Sequence, residues 1–244
     1  MTPWYTIRNR TDTADVEITG EIRLADAHRL IAGLPRNART IRLRISSLGG
    51  DPVAGVQIAN ALRSHPARVE VTIAKIAASA ATLPVMAGDH VRISADAAAM
   101  IHAPRMIVSE DTPLTVRRLR QAATELEGVQ NSIARTYAWR LKRDAAAIAR
   151  LVDADTETWL DPAECVAWGI ADEVIPAAPA AAARFAPSAI AALGRPPSRF
   201  AALVAALATT QRASASRAPV IDHAAVRRHW NRQPDPASAK GAAR

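Results

Sequence analysis

Apolar positions in the first 175 residues keep changing period. Asp15–Ile22 and Thr40–Ile45 alternate apolar with polar residues, as a strand with one buried face does. Between them, Asp26–Leu34 reads as a helix. Pro52–Ser64 carries Val53, Val56, Ile58, Ala59 and Leu62 near helical spacing. Val69–Ile76 predicts a strand, Ser79–Gly88 a short apolar helix ended by glycine, His90–Ser94 a strand, and Ala99–His102 another extended piece. Strands alternating with helices predict an α/β fold with largely parallel pairing.

A long helix follows. Thr112 and Pro113 supply an N-cap and a first-position proline, and Leu119, Ala123, Leu126, Val129, Ile133, Tyr137 and Leu141 recur at three- and four-residue steps. The pattern predicts a helix over 113–142, about eight turns. Its apolar stripe is longer than so small a core can cover, so part of it should pack on another subunit. Asp144 starts a further short helix. Asp161-Pro162-Ala163-Glu164 resembles a capping box, Gly169 ends that helix, and Ile170–Ile175 reads as a last strand.

Beyond Pro176 the periodicity fails, and alanine and proline dominate. Two regions are therefore expected: a folded domain over 1–175, and a basic tail rich in Ala, Pro and Arg over 176–244, largely disordered. Two helical islands, Ser198–Thr209 and Asp222–Trp230, interrupt the tail.

Composition changes the picture in three ways. Aromatics are 4% of the chain against 49% apolar residues, so the core must be mostly Ala, Val, Ile and Leu. The net charge of +8 belongs to the tail: residues 176–244 hold ten Lys+Arg and two Asp+Glu, and the rest of the chain twenty-one of each. Contact with nucleic acid or another acidic surface is thus an expectation for the tail alone, beside a simple solubilising role. Cys165 is the only cysteine, which excludes an internal disulfide and fits a reducing cytoplasm. No apolar run approaches the roughly 18–20 residues of a membrane span, so a cytoplasmic protein without membrane contact is expected. His28, His65 and His90 lack a carboxylate-rich or cysteine neighbourhood, and no Walker-type loop is present. No metal or other cofactor is expected.

Three segments could carry chemistry. Ser46-Ser47-Leu48-Gly49-Gly50-Asp51 runs from a strand through two glycines into a helix. Ala77-Ala78-Ser79-Ala80-Ala81 sets a serine among small residues after a strand; read alone, Ser79 is a helix cap. Met100-Ile101-His102-Ala103-Pro104 closes an extended piece with a histidine, whose ordinary pKa near 6.5 suits a base. Nucleophile, base and exposed backbone N–H groups are what acyl transfer needs. Lys75, four residues before Ser79, offers a Ser–Lys alternative.

These blocks, with Ala87-Gly88-Asp89 and the closing segment Glu157–Asp172, resemble the Clp protease proteolytic subunit, above all the ClpP-like prohead proteases of tailed phages and prophages. The resemblance covers roughly residues 15–175. It implies a ClpP/crotonase-type α/β spiral of β-β-α units with the long helix as a projecting handle. It also implies a serine endopeptidase with Ser79 as nucleophile, His102 as base and Glu157 as third member, with Asp155 and Asp153 as nearby substitutes. By the same resemblance, the backbone N–H groups of Gly49 and Ala80 would form the oxyanion hole, and Gly50 would pair with an extended protein or peptide substrate. A homo-oligomer, with stacked heptameric rings as one form, and scaffold or capsid protein as substrate in head maturation complete the expectation. Its rivals are a cellular Clp subunit working with an ATP-driven unfoldase, and a ring protein whose site has decayed, suggested by Leu48 and Glu157.

Overall fold

In the computed structural model, the described residues are 4–106, 115–153, 155–177, 190 and 196–212. Thr112, Pro113 and the island Asp222–Trp230 lie outside them. The strands among them form one sheet: β1 (Tyr5–Asn9), β2 (Thr13–Ile18), β3 (Thr40–Ser47), β4 (Arg68–Ala78), β5 (His90–Ser94), β6 (Ala98–Ile101), β7 (Thr158–Leu160) and β8 (Glu173–Ile175). The order is β1-β2-β3-β4-β5-β8, with β6 on β4 and β7 on β6. Pairing is parallel except for β1–β2 and β6–β7, as the α/β pattern requires. Strand β4 has two partners along one edge: Glu70–Ile73 pair with β5 and Ile76–Ala78 with β6.

The helices are α1 (Leu24–Gly33), α2 (Pro52–Arg63), α3 (Thr82–Val85), α4 (Val116–Tyr137), α5 (Ala145–Asp153), α6 (Pro162–Trp168) and α7 (Ala201–Arg212). Asp51 caps α2, its Oδ1 accepting from Ala54 N at 2.9 Å, and Pro52 takes the first turn. The capping box at α6 is present: Asp161 Oδ1 accepts from Glu164 N, Glu164 Oε2 accepts from Asp161 N, and Gly169 ends the helix at φ +82°. Helix α4 is shorter than its stripe. It is capped by Thr115, and of the stripe's members within it only Ile133 and Tyr137 are fully buried. Leu119 is half exposed.

The sheet's two faces differ along their length. On β4, Val69, Val71, Ile73 and Ala77 face the main core with Leu30, Ile58 and Leu62 of the helices. The opposite face begins polar, with Glu70 and Thr72, and then turns apolar at Ile76 and Ala78. That apolar patch, continued by Ala98, Met100 and Trp159, is covered by Phe200 and Leu207. The helix expected over Ser198–Thr209 is therefore present, as a 3₁₀ turn (Ser198–Phe200) leading into α7, and it packs back on the sheet.

Candidate active site

Strands β4 and β6 run parallel, with Ala78 opposite Met100, so Ser79 and His102 leave the same end of neighbouring strands. Active residues of parallel sheets gather at such ends. Ser79 has φ +54°, the only positive φ outside glycine among the described residues. It is the first residue of a 3₁₀ turn (Ser79–Ala81) whose N-cap is Ala78, so the cap role fails. A serine forced onto a sharp left-handed turn between strand and helix has the geometry of a nucleophile elbow.

The turn is braced on both sides. Gly49 (φ +97°) lies against it: a Cβ there would come within 2.6 Å of Ala78 O and 2.8 Å of Ser79 Cβ. Only glycine allows that approach. On the far side, Thr82 Oγ1 donates to the Ser79 carbonyl at 2.6 Å, and the buried Tyr137 hydroxyl donates to Thr82 Oγ1 at 2.7 Å. The last turn of α4 thus holds the peptide of Ser79.

His102 is half buried. Its Nδ1 lies 2.6 Å from Ala103 O, and a carbonyl only accepts, so the proton sits on Nδ1 and Nε2 keeps its lone pair. Desolvation, with Arg105 nearby, lowers its pKa below 6.5 despite the opposing pull of the Ala103 carbonyl and Glu157. The ring is therefore neutral at pH 7, as a general base must be. Among the described residues no hydrogen bond joins Ser79 to His102, or His102 to a carboxylate.

The antiparallel register of β6 and β7 runs Met100 opposite Trp159 and Ile101 opposite Thr158, which carries Glu157 opposite His102. Among the described residues, Glu157 is the acid whose charge acts on His102. Its Oε2 accepts from Trp159 Nε1 at 3.0 Å. Asp155 is exposed, and Asp153 Oδ1 accepts from Gln130 instead.

Gly49 N–H is committed to Ser47 Oγ at 3.1 Å, and that hydroxyl donates onward to Gly20 O. Gly50 is bridged to Ile22 through Gly49 O and Asp51 N. Its own N–H and C=O then point the other way. Gly50, Ser79, Ala80 and His102 line one cavity of about 100 Å³, floored by Leu83, Ile133 and Tyr137. Gly50 is thus a second candidate donor beside Ala80, next to the expected Gly49.

A family model, Clp protease, matches residues 2–178, well over half of the chain. The chain belongs to the Clp protease family. As a Clp protease it is of serine-peptidase type, and its mixed α/β fold is the ClpP type that the motif blocks implied. The other candidate groups, Lys75 as an alternative base and Cys165 as a thiol, are held by their surroundings. Lys75 is paired with Asp96. Cys165 is fully buried, and burial pushes its thiol up to about 12. Sequence reasoning missed Ser47, Thr82 and the Ala103 carbonyl, because each works through a backbone partner that no residue pattern encodes. Trp159 had a signal, its place two residues after the acid.

Proposed function

We propose that this Clp protease is a serine endopeptidase working through an acyl-enzyme. Ser79 Oγ attacks the scissile carbonyl carbon while its proton passes to His102 Nε2. The oxyanion is met by the N–H groups of Gly50 and Ala80, the latter free in the first turn after β4. His102 then gives the proton to the leaving amine, and the serine ester that remains is hydrolysed by water entering the same cycle. Glu157 steadies the imidazolium. The observation that carries this reading is the strained Ser79 sharing a cavity with a neutral His102 whose Nε2 is free.

Labelling with a fluorophosphonate probe tests it. The wild type should be labelled at Ser79, and Ser79→Ala should not be. An unlabelled wild type, beside a labelled control peptidase, sinks the catalytic reading and leaves the decayed ring protein.

Homo-oligomerisation is supported by family membership and by the bare apolar residues Val116 and Leu119 on α4. For the biology we favour cytoplasmic head maturation, with scaffold or capsid protein as substrate. The likeness of the motif blocks to phage prohead proteases supports it. Co-expression with neighbouring head genes should give Ser79-dependent trimming of one head protein. Degradation of folded protein only with ATP and an unfoldase would favour the cellular rival.

A further inference from the structure

The segment Ser198–Leu207 takes no part in the mechanism above, yet it is built onto the site. Phe200, Leu203, Val204 and Leu207 stand at helical steps and face the outer patch of the sheet. The Phe200 ring lies against the Trp159 indole, with centroids 5.3 Å apart. Arg199 reaches the α6 capping box, 3.0 Å from Glu164 Oε2 and 3.3 Å from Asp161 Oδ2, and donates to the Trp159 carbonyl. Trp159 is therefore held at its ring and at its backbone. Its indole N–H in turn holds one oxygen of Glu157.

From this chain of contacts we infer that Ser198–Leu207 positions the catalytic acid. Phe200 and Arg199 fix Trp159, and Trp159 fixes the carboxylate of Glu157, whose charge acts on His102. The inference rests on the reading of Glu157 as third member. Glutamate has three side-chain torsions and sits half exposed, so an untethered carboxylate would spend time in solvent, where its field on His102 is screened. Trp159, Arg199 and Phe200 are positioning residues, since they act only through Glu157.

The test uses the full chain and hydrolysis of a small peptide ester across pH. Trp159→Phe keeps the ring stack and removes the N–H; Phe200→Ala removes the stack; both are made in the wild type and in Glu157→Gln. Each should lower kcat about 10-fold with KM unchanged. Each should also move the acid limb to lower pH, because the carboxylate that raises the proton affinity of His102 is no longer held. In the Glu157→Gln background neither should cost anything further. Melting curves report folding, and Arg199→Gln on the surface should follow the same pattern more weakly. Unchanged kcat and limb, an equal loss in the Glu157→Gln background, or a gain in activity would overturn the inference alone. Absence of Ser79-dependent turnover in the wild type overturns the catalytic reading and this one with it.

Discussion

At Ser79 the chain turns at φ +54°, a conformation that costs a non-glycine residue roughly 1–3 kcal/mol. Two substitutions separate that strain from the chemistry. Ser79→Gly and Ser79→Ala should both lose hydrolysis by about 10⁴-fold or more. Ser79→Gly should be the more stable of the two by about 1 kcal/mol in denaturant titration, because glycine accepts positive φ without penalty. Gly49→Ala should do the reverse of a silent change. Its Cβ would collide with Ala78 O, so both the melting temperature and probe labelling should fall. The pH dependence follows from His102. Its folded pKa lies below its unfolded value near 6.5, so the unfolded chain binds more protons as pH drops through that window. Activity should accordingly persist below pH 6.5, while the histidine's contribution to stability declines on acidification. Arg105→Gln removes a charge that lowers this pKa, and the acid limb of kcat/KM should move up. Ser79 and His102 were legible because their residue types and strand-end setting suit acyl transfer. The donor we propose, Gly50, differs by one residue from the expected Gly49, because no residue pattern shows which N–H the Ser47 hydroxyl already holds.

Among the elements, the contact of α4 with the nucleophile turn has the clearest energetic consequence. Thr82→Val would leave the Tyr137 hydroxyl buried without its partner and free the Ser79 carbonyl. A loss of about 1–3 kcal/mol is expected, read from thermal unfolding, together with reduced probe labelling. Gly128 of the same helix has nothing within 4 Å of a built Cβ, so Gly128→Ala should stabilise the fold by about 0.5–1 kcal/mol. The helices and inner strands followed from periodicity because each buries one stripe or face. β1 was missed, since it is an edge strand with only Tyr5 and Ile7 partly buried. β7 was missed because three residues give no period to read. The end of β4 carried a signal that is easily passed over. From Ile73 to Ala78 the alternation stops, which is how a strand covered on both faces reads.

For the whole molecule, the exposed part of α4 sets the expected assembly. Val116→Asp with Leu119→Asp should lower the mass seen by light scattering if this face joins subunits, and should leave the melting of the single subunit nearly unchanged. The motif blocks of the sequence carry the family resemblance to near residue 175, close to where the family match ends at 178. They could not show that Phe200 and Leu207 return to it across intervening residues, since such a return is a matter of complementary surfaces.

That return bears on how the protein can be handled. A recombinant chain cut at the family boundary would keep every residue of the proposed chemistry. It would also bare Ile76, Met100 and Trp159 as one greasy surface. Such a fragment should express and then precipitate, or stick to its own kind. A cut beyond α7 should stay in solution.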